Sequence, residues 1–295
     1  MPLPRARAIY VALLILAVAA QSTATATAAP PAKPSPAPAK PATSPAKPAP
    51  VKAAPAPAPS QADAMSAAIV KDLTNAMGGQ ETWDKLPYFR FDFVVVRDGK
   101  EVARFQHWWD KRNGRCRVEG PDDQGRTVTA IFNLSDLKGK SFTEGIVDTD
   151  SSNIAAIIRN GYERWVNDTY WLIMPFKLRD PGTQLKYARA DQTASGETCD
   201  VLELSFGPGV GLTPKDRYWL FVNRKTHLID RWEFVLQGQQ PPPQGSAWEA
   251  WSGVGPLQLS LMRRFKGSQT MLRFENVATP ATMDESVFTF ARPKG

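Results

Sequence analysis

Tyr88-Phe89-Arg90-Phe91-Asp92-Phe93-Val94-Val95-Val96-Arg97, followed by Asp98-Gly99 and then Lys100 to Asp110, is the stretch that decides the fold. Phe89, Phe91, Phe93 and Val95 alternate with Arg90, Asp92 and Val94, the period of two that sends one side of a strand to a core. Asp98-Gly99 supplies two residues that tolerate positive φ, as a two-residue hairpin turn requires. Glu101 to Asp110 is therefore expected to return antiparallel.

Working outward, the same logic repeats. Arg112-Asn113-Gly114 is a turn, and Arg115–Glu119 and Arg126–Leu134 extend the meander. Ile154, Ile157, Ile158, Tyr162 and Trp165 fall at helical spacing behind a Ser/Asn cap, which predicts a helix over Ser152–Val166. Asn167 to Pro181 reads as an irregular, aromatic-rich segment. Strands resume at 184–190, 198–206, 216–223, 227–237, 247–252, 257–265 and 269–278. On the amino-terminal side, Ser60 with Asp63 starts a helix that runs to Gly78-Gly79. About eleven strands are too many for a flat open sheet. The expected fold is mainly β with helices (α+β): a curved antiparallel half-barrel covered by the amino-terminal helix and the internal helical insert.

Residues 1–59 differ in kind. Arg5 and Arg7 precede the apolar run Ile9–Ala20, 12 residues long, and small residues follow. That is the pattern of a cleaved signal peptide over 1–28, since a span needs about 20 apolar residues. From 29 to 59 the chain is almost only Pro, Ala, Lys, Ser and Thr, without the apolar residues a core requires, and reads as a disordered tether. Residues 60–295 are expected to form one domain. The product is expected in the periplasm, with an anchored or extracellular location as alternatives.

Six of the 36 basic residues precede Ser60, leaving 30 against all 29 acidic ones. The domain thus lacks the electrostatic footprint of a nucleic-acid binder. Lys33, Lys40, Lys47 and Lys52 of the tether could touch an anionic envelope surface weakly. The two cysteines, Cys116 and Cys199, allow one disulfide in an oxidising compartment if their strands are neighbours, or are two small buried side chains.

Signals for catalysis are sparse. There are two histidines, His107 and His227, and no nucleophile elbow, phosphate loop or zinc-protease helix motif occurs. His107, alternating with Phe105 and Trp109, reads as a hydrogen-bonded core residue. No cofactor and no metal is expected. The inner face of the sheet is instead unusually aromatic, and Phe91, Phe93, Trp109, Phe132, Trp219 and Trp232 are the candidates to line an apolar cavity. Two segments, 167–182 and 211–219, mix aromatics with paired charges. Asp168, Lys177, Arg179, Asp180, Asp216 and Arg217 are the candidates for a polar network clasping loops at the mouth of the barrel.

The runs Asn167-Asp168-Thr169-Tyr170-Trp171-Leu172 through Pro175, Lys177-Leu178-Arg179-Asp180-Pro181-Gly182, and Gly211-Leu212-Thr213-Pro214 through Asp216-Arg217-Tyr218-Trp219 carry a resemblance. So do Gly78-Gly79 with Trp83 and Leu86, Trp108-Trp109-Asp110 and Arg231-Trp232-Glu233. Over about residues 62 to 290 the chain resembles an uncharacterised secreted bacterial family near the outer-membrane lipoprotein-sorting (LolA/LolB-like) superfamily. The superfamily resemblance implies a half-barrel covered by helices, an apolar pocket for acyl chains and no catalytic residues. A non-enzymatic periplasmic protein that accepts the acyl group of a lipid or lipoprotein is the leading expectation. An envelope hydrolase or transferase using mouth carboxylates, or a purely structural envelope module, are its rivals.

Overall fold

The computed structural model describes residues 61–193 and 196–291, so the expected signal peptide, the tether and Ser60 lie outside the described residues. Helix α1 (Gln61–Ala76) and the short α2 (Gln80–Lys85) lead into β1 (Tyr88–Arg97) and β2 (Lys100–Asp110). Asp98 and Gly99 both take positive φ, 52° and 73°, which matches the turn twist to that of the strands. Next come β3 (Arg115–Pro121), β4 (Thr127–Asn133), β5 (Gly139–Thr143) and β6 (Ile146–Val147), then the long helix α3 (Ser151–Ile173) and a 3-10 turn, Met174–Lys177. The remaining strands are β7 (Thr183–Gln192), β8 (Thr198–Phe206), β9 (Arg217–Asn223), β10 (Ile229–Val235), β11 (Gln244–Val254), β12 (Leu257–Phe265) and β13 (Thr270–Ala278), and a second 3-10 turn covers Glu285–Phe288.

All thirteen strands form one antiparallel sheet in the order β6-β5-β4-β3-β2-β1-β13-β12-β11-β10-β9-β8-β7. It is an open sheet, with β6 and β7 at its edges. The mainly β architecture with helices matches the expectation, with two short strands more than expected: β5 and β6, at one edge. Only Phe142 in β5 is buried among apolar neighbours, so a pattern search has little to find there.

Helix α3 shows how far the sheet curls. Gly161 on α3 packs on Ala130 of β4, and nine residues on, the Tyr170 ring stacks 6.4 Å from Trp232 of β10. Nine residues of helix rise about 14 Å. β4 and β10 stand seven places apart in the sheet, about 33 Å if it were flat. The sheet therefore bends around the helix, and α3 lies in the bore of a half-barrel.

That helix is longer than the sequence suggests. Asp150 caps it by accepting from the Asn153 backbone N–H at 2.7 Å. It continues through Asn167-Asp168-Thr169, where the apolar period breaks and the expected helix stops. Each of these residues has its own partner: Asp168 a charge network described below, Asn167 the Asp168 carboxylate, and Thr169 the Trp165 carbonyl at 2.6 Å. Satisfied side chains do not compete with the backbone, so the helix persists.

The largest apolar cluster joins the inner face of β1 and β8–β13 with α1, α2 and the carboxy-terminal end of α3. A smaller one seats the amino-terminal half of α3 on Cys116, Val118, Ala130 and Phe132 of β3 and β4. The outer face carries two more. In one, the fully buried Arg117 donates to the carbonyls of Val287, Phe290 and Ala291 and straps the carboxy-terminal segment over Ile131 and Phe142. The other holds Cys199, Val201, Phe221 and Trp219.

The possible disulfide does not form. Cys116 on β3 and Cys199 on β8 are free buried thiols, with seven strands between theirs in the sheet and on opposite faces of it.

Candidate functional site

Inside the bore, alternation along each strand aims one set of large side chains at α3. Phe91 is fully buried and stacks on His107 with ring centres 4.5 Å apart and planes 6° from parallel. Phe93 meets Phe274 edge-on at 5.7 Å. Trp232 is also fully buried; it meets Tyr218 at 5.1 Å, Trp171 at 4.7 Å and Trp248 at 5.4 Å, and its Nε1–H donates to Ser246 Oγ at 2.7 Å. Phe132 lies in the smaller cluster under α3, and Trp109 bridges the two clusters. The rings thus meet one another and the helix. Tyr170, Trp171, Ile173, Met174 and Phe176 occupy the space that the expected cavity would need. Two surface pockets, one of about 420 Å³ by Arg115, Lys140 and Phe288 and one of about 160 Å³ between α1 and Leu185, lie away from these rings.

Trp219 belongs to neither inner cluster. On β9 it is Tyr218, Leu220 and Val222 that face inward, so Trp219 points outward beside Phe221, under the Arg217 guanidinium at 5.0 Å. A shift of one residue along a strand reverses the face. Here size suggested the inner face, and the neighbours' alternation decides against it.

The expected mouth network separates into independent parts. Asp168, fully buried, faces β2 from α3: its Oδ2 is 2.9 Å from His107 Nε2, and Arg164 and Asn167 donate to its Oδ1 at 3.4 and 2.8 Å. The Arg164 guanidinium in turn covers the Phe105 ring at 3.9 Å. Asp216 accepts from Thr213 Oγ1, the Tyr218 hydroxyl and the Gln237 backbone N–H at 2.7, 2.9 and 2.6 Å. Burial still pushes its carboxyl pKa up. Lys177 pairs locally with Asp180 at 2.5 Å, Arg179 donates to the Ala67 carbonyl at 3.2 Å from an exposed position, and Arg217 pairs with Glu203 on the outer face. Asp168 and Asp216 sit in separate hydrogen-bonding sets, so they do not form a carboxylate pair.

No family model matches the chain, and no curated protein matches it. Solved structures do. A DUF1329 family protein from Desulfovibrio piger is 12% identical over 78% of this chain and 99% of its own, with a TM-score of 0.45. A LolA superfamily protein from Nitrosomonas europaea is 12% identical over 76% and 97%, with a TM-score of 0.43. A putative outer membrane lipoprotein-sorting protein domain from Vibrio parahaemolyticus is 5% identical over 77% and 97%, at 0.41.

One residue that sequence reasoning passed over holds a central place. Arg263 of β12 is fully buried in the bore, its guanidinium 3.5 Å from the centre of the Trp248 ring. Its Nη2 donates to the Trp171 carbonyl at 2.7 Å and its Nη1 to Ser260. The residue four beyond Trp171 is Pro175, which has no N–H to give that carbonyl, so the arginine stands in for it. Burial drives its pKa down. The signal in the sequence was the single charge at an inward position of Leu257–Phe265, beside a proline that leaves a carbonyl free elsewhere in the chain. Among the described residues no group of histidines, cysteines and acids is placed to hold a metal ion, and no helix is long and apolar enough to cross a membrane.

Proposed function

We propose that the chain is a non-enzymatic binding protein of the bacterial envelope, exported to the periplasm, whose half-barrel takes the acyl group of a lipid or lipoprotein between α3 and the inner face of the sheet. The observation that carries this reading is the cover of the bore. An aromatic and aliphatic surface spanning β1 and β8–β13 is closed by helices rather than by a second sheet, and the amino-terminal half of α3 rests on the smaller cluster alone. Burying an acyl chain releases about 0.8 kcal/mol per methylene, so fourteen methylenes are worth roughly 11 kcal/mol. Re-exposing Ile158 and Phe132 beneath that half-helix costs about 1.5–3 kcal/mol per side chain. Burial of an acyl chain is therefore of the same order as the seat of that half-helix, which holds five buried side chains, Cys116, Val118, Ala130, Phe132 and Ile158.

Native mass spectrometry of the purified protein, followed by lipid extraction, tests the reading. A bound acyl species is expected. A protein that carries none, and that gives no saturable signal with an apolar fluorophore, would instead be a structural envelope module. The ring-to-ring contacts of Phe93 with Phe274 and of Trp232 with Tyr218 favour that second reading.

A further inference from the structure

At the end of the bore where β2 stops, aromatic rings from four elements gather, and two of them, Trp83 and Trp109, adjoin one ammonium group. Trp83 of α2 stacks on Phe176 at 5.1 Å and stands 5.9 Å from Trp109 of β2, which meets Trp165 of α3 edge-on at 4.9 Å. Lys111 Nζ lies 3.6 Å from the centre of the Trp83 ring and 5.6 Å from that of Trp109, and donates to the Trp83 carbonyl. Trp109, Lys111 and Trp165 are only half-buried, so this end of the bore reaches solvent.

Three groups here are left wanting. The Nε1–H donors of Trp109 and of Trp165 are both buried and have no acceptor. A buried donor without an acceptor is costly, and such groups are uncommon. The third is the charge of Lys111, whose ammonium has the Trp83 carbonyl as its acceptor but no ion pair among the described residues. The acid whose charge reaches it is Asp84, which accepts a hydrogen bond from Gln80 at 3.1 Å. Burial pushes the Lys111 pKa down to about 8, against the weaker pull of Asp84. Two indole donors and a cation call for oxygen acceptors bearing negative charge. A cationic headgroup is disfavoured, because the face of Trp83 already holds an ammonium.

We propose that Trp109, Trp165 and Lys111 form a headgroup site that binds the oxyanion, carboxylate or phosphate, of an anionic amphiphile whose acyl chain lies in the bore. This rests on the acyl-binding reading above and narrows it to an anionic ligand. The indole N–H groups and the Lys111 ammonium donate to the oxyanion.

The test is displacement of the neutral fluorophore N-phenyl-1-naphthylamine from the full chain by palmitate, lysophosphatidylglycerol and hexadecanol. At least one of the two anions is expected to act at a concentration about tenfold below that of hexadecanol, the scale of one charge-assisted hydrogen bond. Palmitate ahead assigns a carboxylate; the phospholipid ahead assigns a phosphate. In Lys111→Met the advantage of the anion is expected to vanish while displacement by hexadecanol is unchanged. Equal displacement by all three ligands in the wild-type chain would overturn the headgroup site and leave acyl binding intact, as would an anion advantage that survives in Lys111→Met. A wild-type chain that binds neither the fluorophore nor any ligand would overturn the acyl-binding reading together with this inference. Should a variant misfold, the three-ligand comparison in the wild-type chain decides alone.

Discussion

Gly161 and Ala130 meet across the contact of α3 with β4 with no room for another carbon: a Cβ at 161 would stand 2.6 Å from the Ala130 Cβ and 3.3 Å from Phe132. Two effects of Gly161→Ala oppose each other. Alanine favours a helix interior by about 1 kcal/mol over glycine, while overpacking a fixed contact costs about 1–3 kcal/mol. Ala130 is held by the β4 ladder and cannot retreat, so steric cost wins. The variant should lose up to about 2 kcal/mol in urea unfolding. A gain in stability, the usual result at an exposed helical glycine, would mean that this half of α3 is not seated on the sheet in solution.

Asp168 and Arg179 belong to the same sequence motif but differ sharply in surroundings. Asp168→Asn leaves the Arg164 guanidinium facing a neutral amide in a buried setting and disturbs the contact with His107. A loss of about 1–3 kcal/mol is expected. Arg179 is exposed and makes one hydrogen bond to the Ala67 carbonyl, so Arg179→Ala should stay within about 0.5 kcal/mol of wild type. Chemical denaturation of the two variants side by side checks the contrast, and similar losses from both would refute it.

Lys111 should leave a mark on the pH dependence of stability. Its pKa in the folded chain is pushed down to about 8 by burial, below the roughly 10.4 of an unfolded lysine. Between those values the unfolded chain binds more protons than the folded one, so stability rises with pH over that window. Below about pH 8 the folded chain carries the full penalty of the half-buried ammonium. Urea midpoints of wild type and Lys111→Met, measured at pH 7 and pH 10, should converge at the higher pH. A difference that does not change with pH would show that the ammonium is fully hydrated.

Much of this architecture is legible in the sequence, and the places where it is not have physical causes. The β1–β2 hairpin is plain because Phe89, Phe91, Phe93 and Val95 alternate up to a turn that only residues such as Asp98-Gly99 adopt easily. The far end of α3 is hidden because Asp168 and Thr169 look like helix breakers until their tertiary partners, His107 61 residues away above all, are known. The bore's contents are hidden for a related reason. An aromatic strand face reads the same whether a ligand or the chain's own helix lies against it, and only the curl of the sheet brings Tyr170 onto Trp232. The mouth charges are close in sequence, whereas the chain entering β9 sends Asp216 inward to the Tyr218 hydroxyl and Arg217 outward to Glu203.

Residues 1–59 should be dispensable for folding, because the tether lacks the apolar residues to add to the core. A chain begun at Ser60 is expected to melt at the same temperature as one that retains residues 29–59, as followed by circular dichroism. A fall of many degrees would reveal a docked tether.

The middle of the sheet is made by the first and last strands in chain order. β1 pairs with β13, setting Phe93 opposite Phe274, while every other neighbouring pair of strands is consecutive in the chain. On the ribosome, β1 to β6 and α3 are therefore complete long before the partner of β1 has been synthesised. Until then β1 is an exposed edge rich in valine and phenylalanine, the kind of edge that recruits other chains. Closing the sheet also means closing its longest loop, so the β1–β13 pairing is expected to be the slow step and the point at which folding competes with aggregation. Arg90, Asp92 and Arg104 lie at this seam, with Asp92 buried between the two arginines at 3.4 and 2.9 Å. Before β13 arrives, the same charges stand along the open edge as gatekeepers.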